Sequence, residues 1–217
     1  LSSENESAIR MVHRLAATSL GLLTLAAAIL CWIRRSSLPE AVQPVVWMVA
    51  STLLLAVIGP LTPGYRYSAV TIANVVAGTV LLAACWWLWE MLTDSRTLAV
   101  AQQSQLRLIL AILLLHIGLG AAASDSAMRG VHWVAFVHSG SAMLVTLLIG
   151  SMLWETRQRS QGKKVVVGMA LLLALQIALG LVSLWIEGHA VGLGVAHAMV
   201  SPILVAGLLS LVVRGSR

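Results

Sequence analysis

Apolar and polar positions alternate in long blocks along this chain, and the blocks define seven hydrophobic runs. They extend from Met11 to Ile33, Val45 to Leu61, Ala69 to Met91, Leu106 to Ala123, Gly130 to Trp154, Val165 to Ile186 and Ala190 to Val213. A helix needs about 20 apolar residues to cross the hydrocarbon core of a bilayer. Each run therefore predicts a transmembrane α-helix, the second being short but sufficient. Between them lie a polar lead from Ser2 to Arg10, a loop with Pro39 and Pro44, the breaker-rich Pro60 to Ser68, and polar stretches at Thr93 to Gln105, Ser124 to Arg129, Glu155 to Lys164 and Glu187 to His189. The third run ends in Cys85-Trp86-Trp87-Leu88-Trp89, a tryptophan belt of the kind that sits at a membrane interface. The expected fold class is all-α, a polytopic membrane protein.

Composition strengthens this reading. Hydrophobic residues make up 59% of the 217, and charged residues only 10%, which excludes a water-soluble globule. The chain carries 14 Lys and Arg against 8 Asp and Glu. In a soluble protein that excess would suggest nucleic acid, but here the basic residues lie in the connecting segments, where they set orientation. Along a seven-span path Arg34, Arg35, Arg96, Arg107, Arg157, Arg159, Lys163, Lys164, Arg214 and Arg217 share one side, and Arg10, Arg14, Arg66 and Arg129 the other. The positive-inside rule makes the first side cytoplasmic. The expected location is the cell's inner (plasma) membrane, with Leu1 outside and every histidine toward the outer face. Cys31 and Cys85 fall near cytoplasmic helix ends, where a disulfide is not expected. The chain opens on Leu1 with no signal-peptide pattern, so an earlier start, and with it an earlier helix, is expected to precede it.

The histidines carry the candidate chemistry. An imidazole inside a membrane helix is costly and usually functional. His138 lies seven residues after Val131, and His197 seven after Ala190, so each sits roughly 10 Å into its span. Both spans run in the same direction, and two facing imidazoles at one depth suggest the axial ligands of a haem iron. The competing account is a pair of helix-packing histidines hydrogen-bonded to backbone or serine. His13, in the first turn of its run, is either a ligand or substrate contact or an interfacial residue. His116 reads as an interhelical hydrogen-bonder more often than a haem residue, and His132 and His189 as solvated boundary residues. Arg10, Arg14 and Arg129 lie at the same boundary, where guanidinium groups can pair with haem propionates or simply anchor the interface. Pro202 is expected to kink the last span. The Gly-x-Gly pairs Gly118/Gly120 and Gly192/Gly194 suit close helix packing rather than a nucleotide. No Ser-His-Asp set, zinc motif or phosphate loop is present, and no catalytic side chain is singled out.

The chain also looks duplicated. Val12-His13 heads a span that is followed by a returning span and then Asn74, and Val137-His138 heads one that is followed by a returning span and then His197. The separations are 61 and 59 residues. This predicts two pseudo-repeated four-helix-bundle halves, residues 1–100 and 101–217, with the first helix of the first half missing. Asn74 stands where the second half has a histidine. Asparagine is a poor iron ligand, which leaves an open or differently filled position beside His13.

Met11-Val12-His13-Arg14-Leu15-Ala16-Ala17, the doubled spacing of about sixty residues, and Ala196-His197-Ala198 together resemble the haem A synthase family. The resemblance covers nearly the whole chain and seven of the family's eight helices. It implies oxidation of the C8 methyl of haem O to the formyl of haem A. It also implies a b-type haem (haem b) held by His138 and His197, and a substrate-haem half containing His13, with Asn74 at the partner position and Arg14 and Arg129 as further cofactor contacts. Haem substrate, membrane lipid and either cytochrome oxidase assembly factors or a second copy of the chain are the implied partners, with no nucleic acid. Two positions depart from the family pattern: Arg10 replaces an acidic residue that the family places three before the first histidine, and Asn74 replaces a histidine. The outer-loop cysteine pair of some members would belong to the segment before Leu1. The alternatives are a non-catalytic b-type membrane cytochrome or respiratory-complex subunit, and a haem-free scaffold or transporter.

Overall fold

A computed structural model describes residues 3–61, 68–93, 103–128, 130–158, 163–185 and 191–215. Every regular element among the described residues is helical: α1 (Ser3–Arg34), α2 (Val42–Ile58), α3 (Ser68–Leu92), α4 (Gln103–Met128), α5 (Trp133–Gln158), α6 (Lys163–Trp185) and α7 (Val191–Gly215). Short 3-10 turns at Pro39–Ala41 and Gly59–Leu61 flank α2. All seven expected spans are present, each long and apolar enough to cross a membrane. The protein is thus all-helical and of multi-pass membrane type.

Several ends move from where hydropathy alone put them. The polar lead is helical from Ser3, because nothing between Glu4 and Arg10 is a helix breaker. At 32 residues α1 is about 48 Å long, so one end stands clear of a hydrocarbon core of about 30 Å. The expected loop at Ser124 is helix as far as Met128. Asp125 is only 2% exposed, and the Ser68 hydroxyl at the start of α3 donates to its carboxylate at 2.5 Å. The chain turns only at Gly130, whose φ of +74° suits glycine alone. Pro39 opens a 3-10 turn and Pro44 sits in the first turn of α2, where the absent N–H is not needed. Lys163 and Lys164 begin α6 instead of closing the loop before it.

The last four helices close into a ring, with α4 against α5, α5 against α6, α6 against α7 and α7 back against α4. That leaves α5 and α7 facing each other across the diagonal. Each helix of the ring sends an i, i+3/i+4 stripe into the centre. Leu106, Ile109 and Leu113 come from α4, Val145, Ile149 and Met152 from α5, Val166 and Met169 from α6, and Leu204, Leu208 and Leu211 from α7. The opposite surfaces carry bare apolar side chains, such as Leu115, Phe136, Leu147 and Trp185 at 70–88% exposure, as lipid-facing positions do.

The first three helices add on in sequence. Helix α3 packs on α4 and α7, α2 on α3, and α1 on α2. The joint between α3 and α7 is polar and buried. Trp86 Nε1–H donates to Ser210 Oγ at 2.6 Å, and the Ser210 proton is shared between Glu90 Oε1 at 2.9 Å and the Ala206 carbonyl at 3.2 Å. Glu90 is 2% exposed, so its carboxylate depends on such partners. Replacement of Ser210 by Ala should lower stability by about 0.5–2 kcal/mol, read as an earlier unfolding midpoint when the detergent-solubilised protein is titrated with a denaturing detergent.

Candidate functional site

Toward the end of the bundle where α5 and α7 begin, the central stripes change chemistry without changing register. The α5 stripe of Val145, Ile149 and Met152 continues upward through Ser141 to His138, and the α7 stripe through Ser201 to His197. On α4 the corresponding positions beyond Leu113 are His116 and Gly120, and on α6 beyond Met169 they are Leu173, Gln176 and Gly180. Helical periodicity therefore aims these polar side chains at one another. It is the same periodicity that buries the leucines one turn below.

The result is a cluster of three imidazoles. The rings of His138 and His197 meet edge to face, with centroids 6.4 Å apart. His116 stacks on His138 at 4.3 Å, the planes 12° from parallel. Its Nδ1 lies 2.8 Å from Ser141 Oγ, and the Ser141 hydroxyl donates to the His138 carbonyl at 2.8 Å. A hydroxyl has one proton, so His116 Nδ1–H is the donor to Ser141 and His116 Nε2 bears the lone pair. His197 Nδ1 lies 3.1 Å from the Gln176 backbone carbonyl. A carbonyl only accepts, so here too the proton is on Nδ1 and the lone pair on Nε2. Gln176 Nε2 sits 3.2 Å from that Nε2 and 2.6 Å from Ser201 Oγ.

Two glycines make the approach possible. A Cβ at position 180 would lie 3.1 Å from His197 Cε1, and one at position 120 would lie 2.9 Å from His138 Cε1. Each imidazole is thus laid against bare helix backbone beside the carbonyl one turn earlier. For His197 that carbonyl belongs to Gln176 and accepts its Nδ1–H; the residue at the equivalent place before Gly120 is His116. His138 Nδ1 remains buried without a bond of full hydrogen-bond geometry.

A haem iron with two axial histidines is a group these residues fit. Metal–imidazole bonds of about 2 Å, with each nitrogen about 1 Å from its ring centre, set the two ring centres about 6 Å apart across the metal. A ligating histidine commonly gives its other N–H to a backbone carbonyl, which fixes the tautomer and frees Nε2. His197 has that arrangement. Among the described residues no three His, Cys, Asp or Glu side chains form a metal cage of their own. A macrocycle that brings its own four equatorial nitrogens asks the protein for only two ligands.

The structure brings His138 and His197 together as expected and adds His116, which sequence reasoning had ranked as a packing residue. His13 is exposed on α1 and Arg14 beside it is exposed as well. Asn74 is half-buried on α3. Among the described residues no ring contact or hydrogen bond joins His13 or Asn74 to the imidazole cluster. Arg129 lies outside the described residues, as do Arg66 and His189. Gln176, Ser141, Ser201 and Gly180 had gone unnoticed, and Gly120 had been read as a helix-packing glycine without its histidine. Their signal was present: His116-Ile-Gly-Leu-Gly120 and Gln176-Ile-Ala-Leu-Gly180 are near-copies, each followed after 17 or 18 residues by the histidine that packs on its glycine. Comparison with known protein families, curated proteins and solved structures gives no match for this chain.

A double-mutant cycle tests the glycine cradle. In a helix, Gly→Ala ordinarily stabilises by about 1 kcal/mol. Gly120→Ala should lose that gain when His138 is present and recover it in the His138→Ala background. A coupling of about 1–2 kcal/mol is expected between the two sites from unfolding midpoints.

Proposed function

We propose that this chain is a haem-binding membrane oxidoreductase of haem A synthase type, with His138 and His197 as the two axial ligands of a haem b. The observation that carries the reading is the pair of imidazoles facing across the diagonal of a closed four-helix ring, 6.4 Å between ring centres. Cofactor sites in bundles are built from facing helices in this way. When bound, a haem supplies one-electron chemistry at its iron. The chain's own residues do the rest. The Gln176 carbonyl holds His197 with Nε2 deprotonated, Gly120 and Gly180 set the depth of both rings, and the apolar layers from Leu113 to Leu204 close the bundle below the cluster.

In this proposal the halves 1–100 and 101–217 are related as pseudo-repeats, and the second half is the electron-relaying one. The first half holds haem O near His13 and Asn74, with Arg14 and Arg129 at the propionates, for oxidation of the C8 methyl. The bundle lies in the plasma membrane with its histidines toward the outer face, as the ten-to-four distribution of basic residues supports. Cytochrome oxidase assembly factors or a second copy of the chain are the partners this role would bring. One observation favours a second reading, a b-type cytochrome or respiratory-complex subunit without substrate oxidation. His13 is exposed and has no second histidine opposite it, whereas the closed half has both ligands.

The reduced-minus-oxidised spectrum of the purified protein, with mass analysis of extracted haem, decides between them. A b-type signal is expected in the wild type, falling at least tenfold in His138→Ala and in His197→Ala. Haem O and haem A in the extract, depleted in His13→Ala while the b-type signal stays, support the synthase. Haem B alone leaves the cytochrome, and a protein that holds no haem overturns both.

A further inference from the structure

Gln176 touches His197 twice, and the two contacts act in opposite senses on a ligand. The backbone carbonyl accepts Nδ1–H at 3.1 Å and so prepares Nε2 to bind. The side-chain amide, 3.2 Å from Nε2, places an N–H on the same lone pair that a metal needs. The direction of that bond follows from the first contact, since with the proton on Nδ1 the Nε2 atom can only accept and the amide must donate. Its second N–H is tied to Ser201 Oγ at 2.6 Å. Turning the amide over would set Oε1 against Nε2, acceptor to acceptor, and would also remove the donor to Ser201. In the orientation that remains, Gln176 Oε1 is buried without a partner, an unsatisfied group that gives the side chain something to gain by moving.

The first hairpin lacks this device. Position 116, equivalent to 176 in the near-copied motif, is a histidine that stacks flat on His138. Its Nδ1–H goes to Ser141 rather than to the neighbouring ring. No described side chain donates to His138 Nε2.

From this asymmetry we infer that Gln176 is a guard on His197: its amide competes with the iron for Nε2, making His138 the fixed ligand and His197 the releasable one. The inference rests on the haem reading above. Gln176 acts through His197, so it is a positioning residue, one that holds the sixth coordination position partly open in a site that would otherwise be closed by two strong ligands. A releasable ligand gives the haem a way into and out of a closed ring of helices, because the bond that must break for exchange has a waiting substitute.

The test is titration of the haem-free protein in detergent with ferric haem b, in the wild type, Gln176→Leu, His197→Ala and the double variant. Affinity and the ferric spin state, read from the visible and electron paramagnetic resonance spectra, are followed together. Leucine keeps the volume and removes both donors. Gln176→Leu is expected to bind haem roughly five- to tenfold more tightly, the size expected for one competing hydrogen bond, and to shift the ferric haem toward the low-spin, six-coordinate form. In the His197→Ala background the same substitution should change neither quantity. Unchanged spin state, weaker binding in Gln176→Leu, or an equal effect with and without His197 overturns the guard while leaving the haem site standing. Failure of the wild type to bind haem at all overturns the haem reading, and the guard with it.

Discussion

An imidazole inside a membrane-spanning bundle has no water to satisfy it, and the helix backbone around it has already spent its N–H groups on its own hydrogen bonds. What remains is the second lone pair of a carbonyl, and a side chain can reach that only where the facing helix presents no Cβ. Gly180 provides such a place for His197 and Gly120 for His138. Most of the site's geometry follows from this one constraint. Each ring brings its Cε1 edge to the glycine, and for His197 this sets Nδ1 against the carbonyl four residues earlier and leaves Nε2 clear of that contact. A metal-binding tautomer is thus a consequence of satisfying a buried polar group.

The apolar layers below do not distinguish the polar cluster by register, only by chemistry. On α5 the same stripe reads His138, Ser141, Val145, Ile149, Met152, and on α7 His197, Ser201, Leu204, Leu208, Leu211. A close-packed lower bundle therefore fixes the rotation of each helix, and that rotation fixes where the imidazoles point. Helix α3 braces this arrangement from outside through two carboxylate–hydroxyl contacts near its ends. Ser68 binds Asp125 of α4, and Glu90 binds Ser210 of α7. Both acids are buried, so each contact is costly to break, and together they hold α4 and α7, the two helices whose contact closes the ring.

Hydropathy made the seven spans legible because a run of about twenty residues averages out local detail. The helix ends were not, since Ser124 to Met128 stays helical through a carboxylate whose partner, Ser68, is 57 residues away in sequence. Depth identified His138 and His197, because both are counted from the starts of parallel spans. The same measure hid His116 and Gln176, which lie on returning helices whose depth has to be counted from the other end. Depth also says nothing about rotation around a helix. His13 and Asn74 repeat the spacing of the second pair to within two residues, but spacing does not say that His13 lies on an exposed face of α1 while His138 and His197 turn toward each other.

The two hairpins that build the cluster are near-copies that differ at one decisive position. With histidine at 116 the returning ring meets an aromatic face, which leaves its nitrogens alone, and with glutamine at 176 it meets a donor, which engages one of them. Stacking and donation both fill the space beside the glycine, so packing alone does not choose between them. They differ in what they do to the lone pair on Nε2. A structural pair of histidines would gain from two donors and full satisfaction, which Nδ1 of His138 lacks. A ligand pair has use for the inequality, because a metal that is to be admitted needs one nitrogen ready and one that can be made ready. The two otherwise matched imidazoles are therefore treated unequally: both nitrogens of His197 are engaged, and Nδ1 of His138 is not.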